Sequence, residues 1–220
     1  MRDDLKKQSC VYVVDDDAAI RRNIGYILEA GGYPYRVFES AIDFLKARLE
    51  LVEASCLVLD IRMPGMSGIE LQNCLPGSDH EMPIVFVSAY GDVPICVQTM
   101  KAGAVSFLLK PFRMSELLTA VDEALDSSRE WHEREDNRLQ ARRRYMTMTP
   151  REREVSRYVV SGMLNKQIAA EMEIAECTVK IHRARVMEKA SVESVAELVR
   201  FSLLLPEEYG AGETTGPNQV

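Results

Sequence analysis

The chain has 220 residues, 46% of them hydrophobic and 28% charged, with a formal net charge of −7. That composition excludes a fibrous or wholly disordered chain, and no apolar run approaches the roughly 20 residues of a membrane span. The charge argues against a uniform nucleic-acid binder, but it is unevenly spread. Residues 1 to 127 carry 12 basic and 19 acidic side chains, whereas residues 128 to 205 carry 15 and 12. An acidic half followed by a mildly basic half predicts two domains with different partners.

Short apolar runs stand at 10–14 (CVYVV), 35–38 (YRVF), 55–59 (SCLVL), 83–87 (PIVFV) and 106–109 (SFLL). Helical patterns separate them. In AIRRNIGYILEA the residues Ile20, Ile24, Ile27 and Leu28 share one face, and Gly31 is the stop. Further helices begin near Ala41, Gly68, Pro94 and Ser115. Five such units with short loops predict a five-stranded parallel, doubly wound sheet of the flavodoxin-like kind, covered on both faces. From Met114 the helical pattern continues through a polar stretch without Gly or Pro, so residues 128–146 read as a helical linker, with a flexible charged linker as the alternative. After Tyr145 every signal is helical. Thr149, Pro150 and Glu152 form a capping box, and four short helices in 147–205 predict an all-α bundle containing a helix-turn-helix. Residues 206–220, rich in Gly, Thr and Glu, read as a disordered tail.

In a sheet of this kind ligands bind beyond the carboxyl ends of the strands. Asp15 and Asp16 follow the first strand, Asp60 the third, Ser88 closes the fourth and Lys110 the fifth. Each alone reads as a cap, a turn residue or a solvated lysine; together they form one constellation at one edge. Clustered carboxylates repel one another unless a cation intervenes, and Mg²⁺ takes carboxylates, waters and phosphate oxygens. A carboxylate can also be a nucleophile toward phosphorus. Asp60, before the turn IRMPGMSG, is the best placed for that, with Ser88 and Lys110 to contact the phosphoryl oxygens. Asp17 lies one place too far along and falls at the cap of the following helix. The five cysteines (10, 56, 74, 96 and 177) show no CxxC pair and read as reduced core thiols. The N-terminus MRDDLKKQSC has no signal-like apolar core. Both observations point to a cytoplasmic protein.

Residues 10 to 128 resemble a response-regulator receiver domain through VVDD (13–16), LDIRMPGMSG (59–68), VSA (87–89) and KAGAVSFLLKPF (101–112). The resemblance implies that Asp60 accepts phosphate from a sensor histidine kinase. It also implies that Asp15, Asp16, Asp60 and the backbone carbonyl of Arg62 bind Mg²⁺. Ser88 and Lys110 match the family's hydroxyl and lysine, and Phe107 its aromatic switch. The resemblance raises the expectation of a cis bond at Lys110-Pro111, and it gives Arg62 and Tyr90 positions that influence phosphate lifetime.

Residues 148 to 204 resemble the LuxR-type helix-turn-helix through TPREREV (149–155), NKQIA (165–169) and TVKIHRARVMEK (178–189). The whole chain resembles the NarL/FixJ family, and the wording of both motifs is similar to regulators of aromatic-compound catabolism. At about 100° per residue, Val179, His182, Val186 and Ala190 share an inward face toward Ile168, Ala169 and Met172. Lys180, Ile181, Ala184 and Arg185 then point to a major groove. Arg183, Lys166 and Thr178 suit phosphate contacts. His182 reads as a packed or backbone-bonded residue. Arg142, Arg143 and Arg144 can touch DNA or end a solvated linker. Ala175 stands where a Ser or Thr cap is usual, with Glu176 as partial compensation through the helix dipole. Val195, Leu198 and Val199 on the last helix form an apolar stripe; closing the bundle core takes some of those residues, and the family uses this helix to pair DNA-binding domains. In FixJ-like receivers a further dimer surface falls at about Val93 to Ala102 and Ser106 to Leu109.

The expected function is a two-component response regulator. Phosphorylation drives it to a homodimer on double-stranded promoter DNA, with RNA polymerase as a further contact, no membrane partner and Mg²⁺ as cofactor. Two other readings share these residues. One is a DNA-binding regulator whose receiver works without phosphate, against which the complete acidic set counts. The other is an aspartyl-phosphate hydrolase of the haloacid-dehalogenase kind, whose DxDx[TV] motif fails at Ala19 and which leaves the helix-turn-helix unexplained. The split among the three aspartates is testable by metal titration: Asp17→Ser should leave Mg²⁺ affinity nearly intact, and Asp16→Ala should weaken it.

Overall fold

The computed structural model describes residues 9–47, 54–75, 82–89 and 93–206. Tyr90 and residues 207–220 of the expected tail lie outside them. The chain divides into two compact units, Met1–Glu133 and Arg134–Val220.

The first unit holds β1 (Ser9–Val14), β2 (Tyr35–Phe38), β3 (Ala54–Asp60), β4 (Ile84–Ser88) and β5 (Ser106–Leu109). They pair in parallel in the order β2-β1-β3-β4-β5. Helices α1 (Ala18–Ala30), α2 (Ala41–Lys46), α3 (Gly68–Cys74) and α4 (Val93–Lys101) alternate with the strands, and α5 spans Met114–Met146. The two-residue period of the strands divides their apolar residues into two layers. Val11, Val13, Cys56, Val58, Val85 and Val87 pack with Ile24 and Leu28 of α1 and Leu117, Val121 and Leu125 of α5. Tyr12, Val14, Leu57, Leu59, Ile84 and Phe86 pack with Phe44 of α2 and Leu71 of α3. Both faces of the central strands are therefore dry, which explains their near-continuous apolar runs.

The turn from β3 into α3 is built by two glycines. Gly65 has φ +82°, a conformation that L side chains rarely adopt. Gly68 donates its N–H to the Ile61 carbonyl at 3.0 Å, and a Cβ there would stand 2.2 Å from the Asp60 backbone oxygen. The helix start is thus pressed directly against the strand end that carries Asp60.

In the second unit, α6 (Pro150–Val160), α7 (Asn165–Glu171), α8 (Glu176–Ala190) and α9 (Val195–Leu203) enclose a single core. Val155, Val159, Ile168, Met172, Val179, Val186 and Phe201 are among its buried members, together with Ala141 and Tyr145 from the end of α5. Leu198 is also fully buried there. It closes the core and has no surface to give to a partner, which corrects the expectation that it belongs to a dimer stripe; Val195 is exposed and Val199 half-buried. The core-thiol reading also needs correction. All five cysteines are free, but only Cys56 is buried, whereas Cys74 and Cys177 lie on outward-facing helix positions.

The capping box of α6 is more than a cap. Glu152 is 1% exposed. Its Oε2 accepts the Thr149 N–H at 2.8 Å and the Lys189 ammonium at 2.6 Å, while Lys189 also donates to the Thr147 carbonyl at 2.9 Å. Burial alone would raise the Glu152 pKa, but the Lys189 ammonium and the Thr149 donors outweigh it and hold the carboxyl low. A depressed acid contributes stability that is present above its unfolded value of about 4.3 and fades as pH falls through the folded value. Glu152→Gln should therefore destabilise the second unit by about 2 kcal/mol near neutrality. Urea melts of mutant and native chain should converge in acid.

Candidate functional site

At the carboxyl edge of the sheet, the ends of β1, β3, β4 and β5 border a cleft of about 390 Å³. Asp15, Asp16, Asp60, Arg62, Ser88 and Lys110 all line it, so the structure brings the sequence-predicted constellation together. Lys110 organises it: its Nζ lies 2.6 Å from Asp15 Oδ2 and 2.6 Å from Asp60 Oδ1. Asp15 is fully buried and Asp60 nearly so. Asp15 Oδ1 accepts the Asp17 N–H at 2.9 Å, and Asp60 Oδ2 accepts the Arg62 N–H at 2.8 Å. Both carboxylates are thus held on both oxygens. The Lys110 N–H donates to the Ser88 carbonyl at 2.8 Å, which ties the fourth and fifth strand ends together. Lys110-Pro111 is a cis bond.

The three adjacent aspartates separate by role. Asp15 points into the protein, and Asp16 is exposed at the cleft. Asp17 caps α1, accepting the N–H groups of Ala19 and Ile20 at 2.7 and 3.4 Å; these donors hold its pKa below the usual range. For Asp60, burial raises the pKa and outweighs the Lys110 ammonium, with the nearby Asp15 charge adding to the rise. For Lys110, burial would lower the pKa, but the hydrogen bonds and charges of Asp15 and Asp60 prevail and raise it. Among the described residues no group of three or more His, Cys, Asp or Glu side chains is gathered closely enough to hold a metal ion. Mg²⁺ needs only one or two carboxylates besides water and phosphate oxygens. Asp15 and Asp60 converging on one cationic group, with Asp16 beside them, fit that donor chemistry. Phe107 is half-buried against the layer of Tyr12 and Phe86.

In the second unit, α8 presents Lys180, Ile181, Ala184 and Arg185 to solvent, and Val179, Val186 and Ala190 are buried beneath them. Ile181 is 54% exposed. Lys166 is exposed, Thr178 half-buried, and Arg183 half-buried with its Nη1 donating to Asn165 Oδ1 at 2.9 Å. Lys180 pairs with Glu176 at 3.4 Å. Ala175 makes no side-chain cap. His182 is packed, but its buried Nδ1 has no hydrogen-bond partner, so the backbone-bonded form of that reading does not hold for this nitrogen. Arg144 reaches the Ala190 carbonyl at 3.4 Å.

One neighbour of the acidic cleft has no counterpart in the motif reading. Arg21 donates from Nη1 to the Asp15 backbone carbonyl at 2.5 Å. The available signal was its place near the start of α1, where the helix dipole disfavours a cation.

A parallel sheet with an acid–lysine–acid cluster at its carboxyl edge, followed by a helix-turn-helix unit, defines a receiver coupled to a DNA-binding domain. Residues 11–122 match the response regulator receiver domain, and residues 146–202 match the bacterial regulatory proteins of the luxR family. Nodulation protein W of Bradyrhizobium diazoefficiens is 41% identical over 89% of this chain and 86% of its own. The transcriptional regulatory protein FixJ of Azorhizobium caulinodans is 40% identical over 88% and 92%. Among solved structures, the response regulator StyR is 42% identical with a TM-score of 0.76, covering 88% of this chain and 98% of its own. Full-length FixJ from B. japonicum is 36% identical with a TM-score of 0.54, covering 89% and 96%. The chain belongs to the two-component response regulators that join a receiver to a LuxR-type DNA-binding domain, a family of transcriptional regulators rather than enzymes in the ordinary sense. Receivers of this family generally bind Mg²⁺ for phosphorylation, and the pairing of domains implies a kinase and DNA as partners. No helix among the described residues is long and apolar enough to cross a membrane.

Removing the central cation should be costly. Lys110→Ala leaves two buried carboxylates facing each other, which should destabilise the receiver by about 3 kcal/mol at neutral pH. Asp60, already raised by burial, then titrates higher still. A raised acid penalises the folded state only above its unfolded value, so the loss should shrink as pH falls toward about 4. Melts at several pH values, with and without added Mg²⁺, check this, and the divalent ion should restore part of the lost stability.

Proposed function

We propose that this regulator is phosphorylated on Asp60 by a sensor histidine kinase and then dimerises on promoter DNA. The observation that carries the reading is the Asp60 carboxylate itself. It is the last residue of β3, 6% exposed, with donors fixed on both oxygens at the floor of the cleft. A carboxylate oriented in this way is poised for in-line attack. An Asp60 oxygen forms the bond to phosphorus as the P–N bond of the donor phosphohistidine breaks, and the electron pair stays with the imidazole, which takes up a proton. Asp15, Asp16, Asp60 and the Arg62 backbone carbonyl are the residues to hold Mg²⁺, which when bound neutralises phosphoryl charge. Lys110 ion-pairs with a phosphoryl oxygen and Ser88 hydrogen-bonds another.

The Lys110 N–H bond to the Ser88 carbonyl gives the switch a mechanical basis. A pull on either residue toward the phosphoryl group moves both strand ends, and Phe107 follows inward. Phosphorylation biases an existing equilibrium toward a dimer-competent receiver. Exposed Val93, Val97, Met100 and Leu109 support α4 and β5 as the pairing face. In the DNA-binding unit, Lys180, Ile181, Ala184 and Arg185 read the major groove, while Lys166, Thr178 and Arg183 contact phosphates. So small a module gains useful affinity on two half-sites, with Val195 and Val199 at the pairing surface. RNA polymerase is a further contact at the promoter, and the cytoplasm is the compartment in which kinase, DNA and reduced thiols coincide. Labelling with a small radioactive phosphodonor tests the assignment: native chain should become acid-stable and base-labile in its label, and Asp60→Asn should take up none. Undiminished labelling of the mutant overturns it.

A further inference from the structure

The Asp15–Asp16 peptide is held by a residue outside the cleft. Arg21 lies in the first turns of α1, and its Nη1 reaches back six residues to the Asp15 carbonyl at 2.5 Å. That carbonyl belongs neither to the α1 ladder, which begins after the cap at Asp17, nor to a sheet pair. The other contacts of Asp15 hold different atoms: its N–H reaches the Phe38 carbonyl at only 3.3 Å, and its two carboxylate oxygens are taken by Asp17 and Lys110. Arg21 also lines a separate groove of about 320 Å³ on the α1–β2 face, together with Arg22, Tyr26 and Tyr35.

A peptide unit is planar. The Asp15 carbonyl and the Asp16 N–H are parts of one plane, so fixing the carbonyl oxygen fixes the direction in which Asp16 leaves the strand. Asp16 is exposed at the cleft, and among the described residues no hydrogen bond is seen to its own carboxylate. Its aim therefore depends on its backbone. We propose that Arg21 is a positioning residue for metal binding: it locks the Asp15–Asp16 peptide plane and so holds the Asp16 carboxylate toward the cation position. This rests on the reading of the cleft as a Mg²⁺ site.

Electrostatics and positioning make opposite predictions. Arg21 is a positive charge near a cation site, so removing it should tighten Mg²⁺ binding if charge were its only influence. If it positions Asp16, removing it should weaken binding, as the loss of groups that orient metal ligands generally does. Calorimetric Mg²⁺ titration of the full chain decides between them. Arg21→Ala should raise the Mg²⁺ Kd about tenfold, and Arg21→Gln, which keeps an N–H donor without the charge, should recover much of that loss. Asp16→Ala serves as the reference for a lost ligand. A Kd for Arg21→Ala equal to or tighter than native overturns the proposal, whatever happens to its melting temperature. If the native chain binds no Mg²⁺, the metal reading fails separately. The positioning claim is then decided by backbone ¹⁵N relaxation of Asp16 in metal-free protein, where Arg21→Ala should increase its mobility and an unchanged amide overturns the claim.

Discussion

One ammonium group placed between two buried carboxylates is the contact on which the receiver depends. Asp15 and Asp60 leave different strands at the same depth of the same edge, and two buried carboxylates so close together are costly without a cation between them. Lys110 supplies that charge from a third strand end. The contact therefore closes three strands at their functional edge. On the proposed reading it also leaves the cluster poised, because an incoming cation or phosphoryl group would compete for the partners that now hold the lysine. The two raised values have opposite origins: at Asp60 burial outweighs the lysine, and at Lys110 the carboxylates outweigh burial.

The layers above and below the sheet explain why the edge can be so polar. Each central strand has dry residues on both faces, and this fixes register, since a slip by one residue would exchange the two layers. With register fixed, the residue that ends each strand is fixed too. The chemistry at the edge is thus a by-product of packing several residues away, and Gly68 transmits that precision by letting α3 close against Asp60 without an intervening side chain.

Much of this was legible in the sequence because strand ends are marked by a sharp change from apolar to polar residues. The runs before Asp15, Asp60 and Lys110 are of that kind, and so is the TPRE capping signal. What was not legible required knowing which face or which distant partner a residue meets. Lys110 and Asp15 are 95 residues apart, and Lys189 and Glu152 are 37 apart; no local period announces such pairs. Leu198 shares an apolar stripe with Val195 and Val199, and only packing separates the residue that closes the core from exposed Val195. Cys74 and Cys177 were misplaced because a thiol's composition says nothing about its helical face. Arg21 was overlooked because a motif records side chains, whereas its target is a backbone carbonyl.

The segment from Asp60 to Gly68 also behaves as a closed ring. Its ends touch through the Gly68 N–H and the Ile61 carbonyl, and through the contact that leaves no room for a Cβ. Surface loops usually tolerate extra residues because longer closure costs little entropy. This one has no such latitude, since its circumference is set by the strand end and the helix start that it joins. For evolution and for engineering alike, it is a loop whose length is a functional parameter. On the proposed reading, variation in signalling behaviour would come from the side chains that decorate the ring, such as Arg62, rather than from resizing it.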